Sequence, residues 1–174
     1  KLALSGSSSE KTIIEILENW KKSTGEEKPK LIIVNTSGGG LRSALWTFTV
    51  LSNADEKLNS KLSKHLQMIT GASGGMIGAA YFREINLRKK LNTLRGDNSF
   101  FKSRLSKDLL NRLSFSASTS DLFMRYKELT YNGKKYTQER GSEFEKELHQ
   151  NRQNYLEHPL GYYEKHEQAS TIPL

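Results

Sequence analysis

Lys30-Leu31-Ile32-Ile33-Val34-Asn35-Thr36 is an almost unbroken apolar, β-branched run, the pattern of a buried strand. Upstream, Ile13, Ile16, Leu17 and Trp20 recur at helical spacing and predict an amphipathic helix over 10–22 that covers a sheet. The polar run Ser5-Gly6-Ser7-Ser8-Ser9 supplies capping residues ahead of it, and 23–29 reads as a loop. Downstream, the pattern predicts a helix over 41–53, a loop over 54–63, a strand over 65–70 and a helix over 74–90. Strands alternating with helices imply an α/β fold: three-layer α/β/α around a mainly parallel central sheet, with right-handed crossovers.

Beyond residue 90 the pattern loosens. Phe100-Phe101, Leu105, Leu109, Leu110 and Leu113 predict one helix, and Asp121-Leu122-Phe123-Met124 the start of another after the Ser-rich loop 114–120. Tyr131-Asn132-Gly133-Lys134 reads as a turn, and Ser142 caps a short helix bearing Phe144 and Leu148. Residues 151–171 are polar and read as surface loop. Ile172-Pro173-Leu174 reads as the opening of a further apolar strand.

The chemistry-bearing text sits where strands end. Leu66-Gln-Met-Ile-Thr runs into Gly71-Ala72-Ser73-Gly74-Gly75, a G-x-S-x-G between a strand and a helix. Such a junction exposes the serine hydroxyl at the positive end of a helix, where negative charge on a reacting oxygen is stabilised. Ser73 is therefore the candidate nucleophile, and the N–H of Gly74 is a candidate donor beside it. The first strand likewise ends in Ser37-Gly38-Gly39-Gly40-Leu41-Arg42-Ser43. Consecutive glycines free backbone N–H groups to point at an anion, so Gly38, Gly39 and Gly40 form the expected oxyanion hole. Gly40 lies 33 positions before Ser73, room for one helix and a return to a neighbouring parallel strand. No Gly-Lys-Ser/Thr follows the glycines as a P-loop requires, and Ser43 stands where the dinucleotide pattern needs glycine or alanine.

Gly38-Gly39-Gly40-Leu41-Arg42 followed by Gly71-Ala72-Ser73-Gly74-Gly75 resembles the patatin-like phospholipases over about residues 30–85. The resemblance implies a lipid acyl hydrolase that uses a Ser-Asp dyad in place of a triad, and no cofactor or metal. It implies an acyl-Ser73 intermediate, with Arg42 bracing the glycine loop or helping to bind phosphate. The substrate it implies is a phospholipid or another acyl-ester lipid. Two departures stand out: Ser43 occupies a position where the family usually has glycine, and the chain holds no Asp-Gly dipeptide, the family's signature for the base. The chain opens on Lys1 rather than Met, and is taken as the N-terminal portion of a single patatin-like catalytic domain. In that reading 30–90 holds the core motifs, 91–174 is a helical, loop-rich insertion or lid, and the aspartate lies beyond residue 174.

The chain's 174 residues suffice for one domain, and it has no cysteine, which leaves neither disulfides nor thiolate-held metal. No apolar stretch approaches the ~18 residues of a membrane span. Net charge is +8, with Arg83, Arg88, Lys89, Lys90, Arg95, Lys102, Arg104, Lys107 and Arg112 concentrated after the serine helix. These residues form either a solvated face or a surface drawn to anionic lipid. A cytoplasmic or peripheral-membrane location is expected, and no nucleic-acid module is recognisable. Two other functions fit parts of the chain. Asp97, Asp108 or Asp121 followed by His149, His158 or His166 keeps the Ser-Asp-His order of an α/β-hydrolase esterase, though none of these acids follows an evident strand. A lipid-binding or interaction domain that keeps the fold without the acid is the non-catalytic alternative. His65, at the far end of the serine strand, reads as structural.

Overall fold

The computed structural model describes residues 12–107, 128–131, 134–137, 155–156 and 158–174. Helix α1 (Ile13–Thr24) starts at Thr12, whose hydroxyl accepts from Glu15 N while the Glu15 carboxylate accepts from Thr12 N, a reciprocal capping box. The chain then runs through β1 (Ile32–Thr36), α2 (Gly40–Lys57), a short α3 (Lys61–His65), β2 (Leu66–Gly71) and α4 (Ser73–Lys90). Helix α5 (Asn98–Leu105), the hairpin β3 (Glu128–Tyr131) and β4 (Lys134–Thr137), and α6 (Leu160–Gln168) complete the described elements.

Strands β1 and β2 pair in parallel, as the alternating pattern predicts. Val34 faces Ile69 on the core side, and Ile33 faces Met68 on the other. A bulge between Ile32 and Ile33 gives β2 one extra residue, so Leu66 and Gln67 are both buried in succession. Leu174 joins the free edge of β2: its N–H donates to Gln67 O at 2.9 Å and its carbonyl accepts from Ile69 N at 2.9 Å, the two bonds of a parallel bridge.

Helices α2 and α4 lie against each other, α4 lies against both strands, and the buried residues of the two helices share one core with Val34 and Ile69. Phe48, Leu51, Tyr81, Ile85, Phe101 and Leu105 form the core between them, with ring centroids of Phe48 and Tyr81 5.3 Å apart. Each such side chain contributes on the order of 1.5–3 kcal/mol by leaving water. The other side of the sheet is open among the described residues, with Leu31, Ile33 and Met68 exposed. The architecture is therefore α/β with a small parallel sheet and helices on one face.

Several boundaries differ from the sequence pattern. Residues 54–63 are largely helical, not loop: α2 continues to Lys57 because Asp55 is a buried anchor. Its carboxylate accepts from Ser63 N at 2.7 Å and its carbonyl from Ser60 N at 2.8 Å, which folds the turn into α3. Residues 160–168 form α6 although 151–171 reads as loop; Tyr163 is buried and donates to Glu84 on α4, a tertiary bond that fixes the helix. The Tyr131–Lys134 turn lies between two strands that the pattern did not reveal, with 132–133 outside the described residues. The helix expected through Phe100, Leu105 and Leu113 ends already at Leu105, with Ser106 as its C-cap, while Leu109, Leu110 and Leu113 and the features expected at 5–9, 114–124 and 142–148 fall outside the described residues.

Candidate active site

Strand β2 delivers its chain to Ala72, extended at φ −137° and ψ 151°, and then to Ser73 at φ +51°. A left-handed backbone is uncommon for a residue with a Cβ and is found where a junction is over-determined by its surroundings. Here it reverses the chain within one residue, so α4 starts at Ser73 and its side chain is exposed. Ala72 N still donates to Thr36 O at 3.2 Å, so pairing with β1 holds up to the residue before the serine.

The two glycine motifs are pressed together. A Cβ on Gly38 would stand 3.3 Å from Ser73 Cβ and 3.9 Å from its Oγ. A Cβ on Gly74 would lie 1.8 Å from Gly40 O, and one on Gly75 2.0 Å from Ser37 O. One turn further along, a Cβ on Gly78 would lie 2.2 Å from Ala44 O. Gly74 and Gly78 are thus a small-residue stripe along which the α2 backbone touches α4. Gly39 (φ +133°) and Gly40 (φ +63°) adopt conformations that side chains rarely take, and they turn the loop into α2. Ser43 braces this loop: its hydroxyl donates to Ser37 O at 2.9 Å.

Neither α2 nor α4 has a side-chain cap at its N-terminus. Each presents orphan N–H groups and the positive end of an 18-residue dipole, and the Gly40–Gly74 contact brings the two ends together. The arrangement suits negative charge developing on an oxygen beside Ser73. Arg42 lies in the first turn of α2, exposed, and makes no ion pair with a described residue.

No carboxylate or imidazole hydrogen-bonds to Ser73 among the described residues. Asp97 caps α5 by accepting from Phe100 N at 2.8 Å. His65 is buried at the opposite end of β2, its nitrogens 3.0 Å from Lys30 O and 3.2 Å from Glu26 Oε1, a structural role as its position implies. His158 stacks on Tyr162 with centroids 3.9 Å apart. Asp108, Asp121 and His149 lie outside the described residues.

The far end of α4 carries a buried ionic cluster that the pattern of charges did not reveal. Glu84, 2% exposed, accepts from Arg88 Nε at 2.6 Å and from the Tyr163 hydroxyl at 2.8 Å. Burial, then the bond to the Glu84 carboxylate and its charge, push the Tyr163 hydroxyl pKa well above the ordinary value. His166 is pushed down, first by burial and then by Lys165; its Nε2 is buried without a hydrogen-bond partner among the described residues. Burial also lowers Lys90, against the opposing pull of Asp55. Arg83 binds Glu167 and Pro173 O, Arg88 lies 4.1 Å over the Tyr155 ring, and Lys90 donates to Thr171 O. These three cations are internal struts that tie residues 155–173 to α4, where the sequence placed them on a solvated or lipid-facing surface. The i,i+4 spacing of Glu84 and Arg88 was the one visible sign of the cluster.

No protein-family model matches the chain, and no curated protein or solved structure is significantly similar to it.

Proposed function

We propose that Ser73 is the nucleophile of a serine lipid acyl hydrolase of the patatin-like kind. One observation carries the reading: Ser73 stands at a left-handed strand-to-helix junction against a triple-glycine loop. In this mechanism Ser73 Oγ attacks the ester carbonyl carbon and gives its proton to an aspartate. The carbonyl oxygen, now an oxyanion, is held by N–H groups of Gly38–Gly40 and Gly74, as at other oxyanion holes. Collapse breaks the bond to the alcohol or lysophospholipid, which leaves with a proton. Water then attacks the acyl-Ser73 ester and releases the fatty acid. Arg42, exposed on the first turn of α2, supplies a cation for a lipid phosphate. Three-layer architecture, with a second set of helices over Leu31, Ile33 and Met68, belongs to the same proposal.

Fluorophosphonate labelling of a chain extended past residue 174 to include the proposed aspartate, followed by peptide mass mapping, tests it. The expected result is an adduct on Ser73 that Ser73→Ala removes. Because the described residues bring no base to Ser73, the chain of residues 1–174 is expected to give only trace turnover of a short-chain ester or a phospholipid. General-base help is worth ~10²–10⁴ in rate. Labelling that is absent, or on another serine, favours the non-catalytic domain. Robust turnover lost on changing His149, His158 or His166 would establish the triad esterase instead.

A further inference from the structure

Helix α2 buries Ala44, Phe48, Leu51 and Asp55 and turns its opposite side to solvent. Arg42, Trp46, Val50, Asn53 and Lys57 follow one another at spacings of three and four, so they share an arc of about 80° at 100° per residue. Trp46 is 71% exposed and Val50 44%. Cations stand at both ends of this face, and a third is held beside its middle: Lys102 of α5 donates to Asn53 Oδ1 at 2.9 Å. The acid on the flank, Glu56, is engaged by Asn98 Nδ2 at 3.1 Å.

A large exposed indole with an aliphatic neighbour, framed by cations, is the composition of a helix that lies in a bilayer interface. No described helix is long and apolar enough to cross a membrane, so such contact would be along the surface. We propose that the outward face of α2 seats this protein on an anionic lipid surface, with Trp46 and Val50 at the headgroup–acyl boundary and Arg42, Lys57 and Lys102 on lipid phosphates. The occupant follows from charge complementarity: the face carries three cations on a chain of net charge +8. Arg83, Arg88 and Lys90 of α4 do not serve this purpose, because they are bonded internally. The proposal goes beyond the Ser73 reading and does not rest on it, since a protein with no hydrolytic activity would bind in the same way. The geometry does link them: α2 begins at Gly40, which touches Gly74 beside the serine.

The chain has two tryptophans, and only Trp46 is exposed; Trp20 is 7% exposed and bonds Lys64 O through Nε1. Intrinsic fluorescence therefore reports this face directly. Titration with phosphatidylcholine vesicles containing phosphatidylglycerol is expected to shift emission to the blue and protect it from acrylamide. Each of three cations near such a surface is worth roughly a factor of five, so partitioning should exceed that onto pure phosphatidylcholine by about a hundredfold. Trp46→Ala should abolish the shift and weaken cosedimentation by about tenfold, as expected for an apolar side chain only partly withdrawn from water. Lys57→Glu with Lys102→Glu should erase the preference for anionic lipid. Ile14→Ser, on the exposed side of α1, is the control and should change nothing. Unaltered emission at saturating anionic lipid overturns the proposal, as does equal binding to neutral vesicles or binding indifferent to Trp46→Ala. A blue shift that depends on protein concentration without lipid would assign the face to a second copy of the chain, and would also overturn it.

Discussion

Replacing Ser73 by glycine should give a more stable protein than replacing it by alanine, the reverse of how these residues behave at an ordinary helical position. Ser73 has φ +51°. Holding an L-residue in the left-handed region costs roughly 1–2 kcal/mol, a cost that alanine keeps and glycine loses. Glycine gives back about 0.5–1 kcal/mol through the larger entropy of its unfolded chain. The balance favours glycine by about 0–1.5 kcal/mol, centred on about 0.75 kcal/mol. At an ordinary helical φ the same pair differs by about 1 kcal/mol in alanine's favour, so the two accounts differ in sign. Cavity effects do not blur the comparison, because the Ser73 side chain is exposed. Urea unfolding followed by circular dichroism, with midpoints compared at a common slope, resolves the difference. A glycine variant less stable than the alanine variant by about 1 kcal/mol would refute the left-handed junction and, with it, the geometry proposed for the nucleophile. Both variants should lose fluorophosphonate labelling, which keeps the stability result separate from the chemical one.

Gly74→Ala and Gly78→Ala should each destabilise by ~2 kcal/mol or more, since the new Cβ atoms would lie 1.8 and 2.2 Å from backbone carbonyl oxygens of α2; thermal unfolding at the wild-type midpoint would detect it. Gly161→Ala, where nothing lies within 4 Å, should instead stabilise by about 0.5–1 kcal/mol, and a loss would contradict the helical placement of α6. Tyr163→Phe removes a donor from buried Glu84 and should cost ~1–3 kcal/mol at neutral pH. Tyr163 is raised in the folded state, so its contribution is full below the unfolded value near 10 and is lost above it; the phenylalanine variant should lack that alkaline decline. His166 is lowered, so below an unfolded value near 6.5 the unfolded chain takes up the proton first and stability falls with pH. His166→Leu should flatten urea midpoints measured as pH falls below about 6.5.

What the sequence made legible was local. The run Leu31–Thr36 and the apolar Leu66–Ile69 identified two strands, because a strand's continuous or alternating pattern is written in adjacent residues. What it hid was set by distant partners. Tyr163 meets Glu84 across 79 positions, and Arg83 meets Pro173 across 90, so α6 looked like polar loop and α4's cations looked free. Asn53-Ala54-Asp55 likewise looked like a helix end, since a buried Asp55 needs a partner such as the Ser63 N–H, which sequence spacing does not display. Charge is visible in a sequence, whereas its neutralising partner is not.

The glycines mark the boundary between these two kinds of information. Their presence showed that the chain needed backbone freedom after each strand, and Gly39 and Gly40 do use positive φ. At Gly71, Gly74 and Gly75 the requirement is of another kind. A Cβ on them would meet Thr36 Oγ1 at 2.0 Å, Gly40 O at 1.8 Å and Ser37 O at 2.0 Å, all atoms of the upstream motif or the strand that feeds it. Each glycine around the serine is therefore a vacancy shaped by the first loop, and the two motifs form one structure rather than two neighbours. Ser43 shows the same coupling from the other side. It holds the loop through its bond to Ser37 O, and its Cβ lies 3.1 Å from where a Gly39 Cβ would be, so the hydroxyl can brace the turn only because position 39 is glycine. Exchanging Ser43 for glycine would remove that brace. Slower fluorophosphonate labelling of Ser73 in Ser43→Gly, with little change in the urea midpoint, is the outcome expected if the hydroxyl positions the loop. Unchanged labelling would mean that the glycine contacts alone hold the loop against Ser73.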